Sequence, residues 1–191
     1  MHNDHYNDQT TGDPANYPPR AGLHGMNFPT IITAAPGESF ADTLAANPGL
    51  PLTGYDASKG VAIHGQIISE DNSVILRRLQ VKNAGYLAFA LINRSCNQCT
   101  VDSSILEAQG TVHALGANAM VVNSLLVCHG PGFPCSQYDY TGISAHNTIV
   151  NPEGNGDTCI GSNYNWLWPG LYAINTACFG FNHAAAGVKN Y

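Results

Sequence analysis

Seven carboxylates between residues 61 and 182 are the first candidates for acid–base chemistry. Hydrolysis of a glycosidic bond needs two carboxyl groups that face one sugar. The candidates are Glu70, Asp71, Asp102, Glu107, Asp139, Glu153 and Asp157. They form no repeated or paired pattern, and the one adjacent pair, Glu70 and Asp71, precedes Asn72-Ser73, which is typical of a solvated turn. We therefore assign no catalytic residue, and the sequence favours a non-enzymatic role.

Four of the seven basic residues lie close together in the sequence. They are Arg77, Arg78, Lys82 and Arg94. Arginine can hold a carboxylate through two parallel hydrogen bonds, so this group is a candidate contact for a carboxylated sugar or for an acidic partner surface. The alternative interpretation is an ordinary solvated face.

Both tryptophans of the chain lie in a late aromatic segment. Trp166 and Trp168 stand between Tyr164 and Tyr172, within nine positions. Exposed aromatic side chains bind sugars and proteins, which makes the two tryptophans candidate contact residues. Covering the end of the fold is the competing role.

The six cysteines leave the redox compartment open. Cys96 and Cys99 in "CNQC" have the spacing of half a zinc site, but no second such pair exists. The segment "CHGPGFPC" could hold a disulfide between Cys128 and Cys135, or two unlinked thiols. We predict no metal site and no cofactor.

Composition excludes two classes of partner. With seven Lys and Arg and a formal charge of −6, the chain has no electrostatic footprint for nucleic acid. No window of eighteen apolar residues exists, so we expect no membrane span.

The elements that must position these residues are short strands. From residue 61 onward, apolar runs of four to eight residues are broken by Asn, Gly and Ser, as in "VVNSLLVC". Polar pairs at 103–104, 123–124, 147–148 and 175–176 are separated by 20, 24 and 28 residues. A drifting period of this size is typical of a solenoid whose loops absorb the differences in length. The pattern therefore predicts an all-β fold, a parallel β-helix of about five turns with the polar pair at a sharp bend.

Stacked strands place the same position of successive turns directly over one another. The sequence thus predicts a structural ladder inside the bend, in which asparagine amides bond to the turn above, as in other stacked-strand structures. Its members are Ser103, Asn123, Asn147 and Asn175.

The remaining segments are assigned by composition. Residues 1–37 hold five prolines among polar residues and read as an extended N-terminal arm. Residues 38–60 contain a short helix with Phe40 and Leu44 on one face, and act as a cap. Residues 61–182 form the β-helix, and 183–191 form a C-terminal tail.

The segment from about 50 to 182, with "GYDASKGVAI", "CTVDSSILEA", "VVNSLLVC" and "AINTACFGF", resembles right-handed parallel β-helix proteins of the pectate-lyase-like superfamily. Within that group it is most similar to short β-helix proteins of tailed phages and prophages. The resemblance implies a virion subunit, a head decoration or tail-associated protein, whereas polysaccharide binding or cleavage in the extracellular space is the alternative. An arm without its own core adds the expectation of self-association, for instance as a trimer, and of contacts with other subunits.

Overall fold

In the computed structural model the described chain is built of β-strands and one short α-helix. The structure describes residues 20–23, 30–69, 73–83, 91–93, 98–115, 118–131, 134–138, 141–162, 171–186 and 189–190. In chain order the strands are β1 Arg20–Leu23, β2 Thr30–Thr33, β3 Ala62–His64, β4 Gln66–Ser69, β5 Val74–Arg77, β6 Gln80–Asn83, β7 Leu91–Asn93, β8 Thr100–Asp102, β9 Ile105–Ala108, β10 His113–Leu115, β11 Ala119–Val122, β12 Leu125–Cys128, β13 Ser136–Tyr138, β14 Gly142–Ala145, β15 Thr148–Val150, β16 Gly156–Ser162, β17 Leu171–Ile174, β18 Ala177–Phe179, β19 Phe181–Ala186 and β20 Lys189–Asn190. The helix α1 spans Phe40–Ala46, and a 3-10 turn spans Ala57–Lys59.

The strands form three parallel sheets that the chain visits in rotation. Sheet I is β1-β4-β7-β10-β13-β16-β19, sheet II is β2-β5-β8-β11-β14-β17-β20, and sheet III is β3-β6-β9-β12-β15-β18. Each strand pairs in parallel with the strands three places before and after it. This confirms the predicted all-β, parallel architecture, and the topology is compatible with a parallel β-helix.

Side chains of all three sheets share one hydrophobic core. On sheet III, Val81, Leu106, Leu126 and Ile149 follow one another in register and are fully buried. The matching column on sheet II contains Leu76, Val101 and Val121. Burying one such side chain stabilises the fold by about 1.5–3 kcal/mol, so each column is a repeated source of stability. Where the side chains are described, the core lies on the inner side of the strands and leaves the outer faces of the sheets for other roles.

The segment 38–60 packs on the outer face of sheet III. Its helix starts at Ser39, whose hydroxyl accepts from the Asp42 N–H while the Asp42 carboxylate accepts from the Ser39 N–H. The helix ends at Asn47, directly before Pro48-Gly49, which confirms the predicted short helix. Phe40 packs against three outward residues of sheet III, which are Ile105, Leu125 and Val127.

A glycine allows the two ends of this segment to lie close together. At Gly60 an added Cβ would lie 2.5 Å from the Phe40 nitrogen, and its φ of 121° favours glycine. The segment is thereby closed on itself, with Phe40 held against the outer face of sheet III.

The two ends of the chain also contribute strands. Within residues 1–37, β1 pairs with β4 and β2 pairs with β5. Near the other end, β19 pairs with β16 and β20 pairs with β17. No helix in the described ranges is long and apolar enough to span a bilayer.

Candidate functional site

Five connectors from sheet II to sheet III share one length and one backbone shape. Each has two residues, and the first has a positive φ. These first residues are Arg78 (56°), Ser103 (49°), Asn123 (52°), His146 (55°) and Asn175 (45°). The left-handed conformation is uncommon outside glycine, and Asn and His adopt it more readily than most residues. One left-handed residue between two strands sets the same sharp bend in each of these five connectors.

In three of these connectors the second residue accepts a hydrogen bond from a buried N–H of the preceding turn. The Leu79 N–H donates to Ser104 Oγ at 3.3 Å, the Ser104 N–H to Ser124 Oγ at 3.1 Å, and the Ser124 N–H to Asn147 Oδ1 at 2.9 Å. The Asn147 amide in turn donates to the Val121 carbonyl at 2.7 Å. An unpaired buried N–H costs about 1–3 kcal/mol, so this column of side chains stabilises the bends.

The structure places the predicted ladder residues in two neighbouring columns. Ser103, Asn123 and Asn175 occupy the first position of their connectors, where Asn123 and Asn175 are exposed. Asn147 occupies the second, buried position, because its connector begins at His146. The sequence pattern takes Asn147-Thr148 as the pair at this bend. The structure places the bend one residue earlier, at His146-Asn147, because Ala145 ends β14 and Thr148 begins β15.

The candidate basic residues that the structure describes are engaged in ion pairs within the chain. Arg77 Nε lies 2.9 Å from Asp102 Oδ2, Arg78 Nη2 lies 2.6 Å from Asp42 Oδ1, and Lys82 Nζ lies 2.6 Å from Glu107 Oε1. Each cation therefore has its own carboxylate, and the Arg78 pair fastens α1 to the first bend. Three further candidates, Arg94, Trp166 and Trp168, lie outside the described residues.

Glu107 is the most enclosed carboxylate of these pairs. Its side chain is 8% exposed, and besides Lys82 it accepts a hydrogen bond from the Tyr55 N–H at 2.9 Å. A Cβ on Gly54 would lie 2.7 Å from Glu107 Oε2, so glycine is needed beside the carboxylate. Burial by itself raises the pKa of Glu107, but Lys82, the Tyr55 N–H and His129 together hold that pKa below its usual value. The carboxylate is thus ionised and held in place by its neighbours.

His129 joins two carboxylates that the sequence left unpaired. Its Nδ1 lies 2.7 Å from Glu153 Oε1, and its Nε2 lies 3.3 Å from Glu107 Oε1. The hydrogen bond from His129 lowers the pKa of Glu153. Because both ring nitrogens are occupied, neither is free to act as a base on a substrate. The group is a hydrogen-bond network, which sequence reasoning missed because nothing in the spacing links these three residues.

The described ranges contain no group of three or more His, Cys, Asp or Glu residues that could hold a metal ion. The described cysteines are instead oxidised. Cys128 is bonded to Cys135, Cys159 is bonded to Cys178, and Cys99 is also in a disulfide. Of the two readings of "CHGPGFPC", the structure therefore contains the disulfide loop.

The outer face of sheet II carries a column of mostly apolar side chains. Strand pairing aligns Ile31, Ile75, Thr100, Met120, Ile143 and Tyr172 across six consecutive strands. Ile31 is 55% exposed and Met120 is 38% exposed. We call these six residues the sheet II face. Five of them lie three residues before a bend, so aligning the chain on its bends could have revealed the column.

The sheet II face differs from the equivalent surface of sheet III. On sheet III the outward residues Ile105, Leu125 and Val127 are covered by α1 and are buried. On sheet II the described chain leaves the corresponding column partly or largely exposed. An exposed apolar surface of this kind marks an interaction site more often than an ordinary solvated face.

No family model matches the sequence, and neither a curated protein nor a solved structure matches it significantly.

Proposed function

We propose that the chain is a right-handed parallel β-helix and serves as a structural subunit of a larger assembly. Its strands rotate through three sheets, and parallel crossover connections are right-handed in nearly all proteins. Successive strands lie about 4.8 Å apart, so the six strands of the sheet II face span roughly 24 Å. A flat, regular surface of this kind suits contact with another flat surface.

The observation that carries the proposal is the exposed apolar sheet II face. The chain covers the outer face of sheet III with α1, which indicates that a bare apolar face is costly in water. In the sheet II face Ile31 and Met120 are exposed, and a neighbouring subunit would cover them. Self-association, for instance as a trimer, provides this cover with copies of the same chain.

The charged side chains support the structural role over polysaccharide binding or cleavage. A sugar-binding or catalytic site needs polar groups that are free to face a ligand. Arg77, Arg78 and Lys82 are each paired with a carboxylate of the chain, and His129 has both nitrogens occupied. Polysaccharide binding or cleavage is therefore the second candidate.

A phage virion is the assembly we favour, with the chain as a head decoration or a tail-associated protein. This part of the proposal is supported by the resemblance of the repeat motifs to phage β-helix proteins. In such a particle the part of the N-terminal segment 1–37 that does not pair with β4 or β5 would anchor the subunit. An extracellular location is the alternative if the chain is not part of a virion.

The test places a charge at the centre of the sheet II face. In Met120→Glu, association would require burial of an unpaired carboxylate, which is strongly unfavourable. We expect the wild-type chain to form oligomers and the variant to be monomeric, as measured by mass photometry and light scattering. Far-UV circular dichroism verifies that the variant remains folded.

Thr148→Glu is the matched control, because Thr148 is an exposed strand residue on sheet III. We expect this variant to associate like the wild type. A wild-type chain that stays monomeric at all accessible concentrations, or a Met120→Glu variant that associates as strongly as the wild type, contradicts the proposed interface.

A further inference from the structure

Two leucines shortly after helix α1 are exposed, although hydrogen bonds fix the backbone around them. Leu50 and Leu52 are each 41% exposed. The Leu50 N–H donates to the Asn47 carbonyl at 3.2 Å, and Lys59 Nζ donates to the Pro51 carbonyl, between the two leucines, at 3.0 Å. Proline also fixes its own φ, which restricts this run further. An ordered backbone therefore presents both side chains to solvent, and we call Leu50 and Leu52 the leucine pair.

Exposed large hydrophobic side chains are few in the part of the chain that the structure describes. They are Ile31, Leu50, Leu52, Met120 and Phe179. Ile31 and Met120 belong to the sheet II face, and Phe179 is the single one on β18, at the end of sheet III. Outside the sheet II face, the leucine pair is thus the one described place where two such side chains lie together.

The area of the sheet II face limits how an assembly can use it. Six strands span roughly 24 Å, and three residues along a strand cover about 10 Å, so the face measures on the order of 250 Å². A stable interface buries about 800 Å² of each partner. Two chains that met through this face alone would bury one such area on each chain. A ring buries a second surface of every chain as well.

A ring of three or more chains needs two different surfaces on each chain. In a twofold pair the same patch meets itself, whereas in a larger ring one patch of each chain contacts a different patch of the next chain. Self-association as a trimer therefore requires a second surface that fits the sheet II face. The leucine pair is apolar and exposed, and it lies in the segment 38–60, which packs on sheet III.

The ion pairs beside both surfaces are already formed within the chain. Lys59 Nζ lies 3.1 Å from Asp56 Oδ2, close in sequence to the leucine pair. Arg77 Nε lies 2.9 Å from Asp102 Oδ2, on the strands β5 and β8 of sheet II. An unpaired charge buried in an interface opposes association strongly. Contact between the two surfaces leaves each of these charges with its partner.

We propose that the leucine pair of one chain docks on the sheet II face of the next chain, so that identical contacts close a ring. This inference rests on the proposed self-association and supplies its second surface. Each contact removes two apolar surfaces from water, one on sheet II and one beside α1.

The double variant Leu50→Glu, Leu52→Glu tests the second surface. We expect the wild type to form rings of three or more chains and the double variant to be monomeric, as counted by native mass spectrometry. A double variant that associates like the wild type, or a wild type that forms pairs of chains, overturns the inference and leaves the sheet II interface standing. If the wild type is itself monomeric, the proposed function fails and the inference fails with it.

A mixture of two variants shows whether the two surfaces contact each other. Met120→Glu retains the leucine pair, and Leu50→Glu, Leu52→Glu retains the sheet II face, so the mixture contains one intact surface of each kind. We expect heterodimers with one chain of each variant and no larger species, detected after one chain is labelled with a heavy nitrogen isotope. Heterodimer formation also shows that both variants are folded.

A single contact lacks the further links of a closed ring and is weaker for that reason. The mixture is therefore examined up to roughly a hundredfold above the concentration at which the wild type assembles. Two variants that are folded by far-UV circular dichroism and remain monomeric throughout this range overturn the proposal.

Discussion

The fully buried His113 is the residue for which the structure gives the clearest expected effect on stability. His113 faces the core from sheet I, where its Nε2 lies 2.7 Å from Ser136 Oγ and its ring meets the Tyr138 ring edge-on at 5.1 Å. Its Nδ1 has no hydrogen-bond partner among the described atoms. Burial lowers the pKa of His113 to about 3, so the ring is neutral in the folded chain.

We predict that His113 makes the fold acid-sensitive. An unfolded histidine has a pKa of about 6.5, so below this pH the unfolded chain binds a proton that the folded chain excludes. Stability therefore falls as the pH drops from about 6.5 towards 3, by up to about 1.4 kcal/mol per pH unit. Urea unfolding at pH 7.5 and pH 5.0 should show a loss of roughly 2 kcal/mol from this residue.

His113→Gln provides the comparison, because glutamine retains a polar group for Ser136 and does not titrate. The variant should lose less stability between the two pH values than the wild type. Carboxylates with lowered pKa values, such as Glu107 and Glu153, lose their contribution only below about pH 4.5 and leave this window unaffected. Identical pH dependence in the two proteins would show that His113 is not responsible.

The sequence predicts which residue types form the bends. It does not predict which residue takes the first position of a bend and which takes the second. Asn, Ser and Thr recur because a bend needs both a residue that tolerates positive φ and a side chain that accepts a buried N–H. Asparagine can meet either requirement, so its residue type does not show whether Asn147 is the first or the second residue of its bend. Only the pairing of the flanking strands shows that it is the second.

The disulfides of this fold link separate strands and close a connector. Cys159–Cys178 joins β16 of sheet I to β18 of sheet III across the core, with a sequence separation of 19. Cys128–Cys135 closes the connector between β12 and β13, with a separation of 7. Such pairs persist in oxidising surroundings, which accords with the proposed virion or extracellular location.

We predict that reduction destabilises the chain by several kcal/mol. Chain-entropy arguments assign about 3 kcal/mol to the 159–178 loop and about 2.5 kcal/mol to the 128–135 loop. Urea unfolding with and without a phosphine reductant measures the total. In the paired variant Cys159→Ala and Cys178→Ala, the effect of reductant should shrink by about 3 kcal/mol. A reductant effect that is the same in this variant and in the wild type contradicts the prediction.

The sequence predicts the helix α1 but not all of the strands. The helix α1 could be predicted because Ser39, the Phe40–Leu44 spacing and Asn47-Pro48-Gly49 are local signals. The strands β1 and β2 could not, because their pairing with β4 and β5 depends on positions far along the chain. An extended segment that lacks the polar pair contains no sequence signal for the sheet to which it belongs.

The whole molecule is a series of turns in which each strand contacts its neighbours in the stack. Every described strand pairs with those three places away, and no pairing joins distant turns. Stability in such an arrangement is a sum of terms within turns and between adjacent turns, so the two ends can open separately.

We therefore predict that core truncations act locally. Leu171 is 1% exposed on β17, and Leu171→Ala should cost about 2–5 kcal/mol. Hydrogen exchange followed by mass spectrometry should show lost protection in β14–β20, with β4–β6 unchanged. Ile67→Ala, at an equally buried site on β4, should give the reverse pattern. A uniform loss of protection in both variants would indicate one all-or-none unit.

At the scale of the molecule the sequence predicts the parallel all-β class, because a motif that recurs every 20 to 28 residues requires stacked turns. It predicts about five turns, whereas the sheets contain seven, seven and six strands. The difference arises because the polar pair marks only the connectors from sheet II to sheet III, and the outermost strands of the stack lack it.

The five two-residue connectors from sheet II to sheet III restrict where residues can be added to the chain. One added residue at Ser103-Ser104 would slip the following strand and turn Leu106 outward, since side chains alternate along a strand. The connectors from sheet III to sheet I vary from one residue at Gly65 to five at 151–155 and seven at 129–135. Foreign peptides inserted at these variable corners would be displayed on the outside while the stack keeps its register.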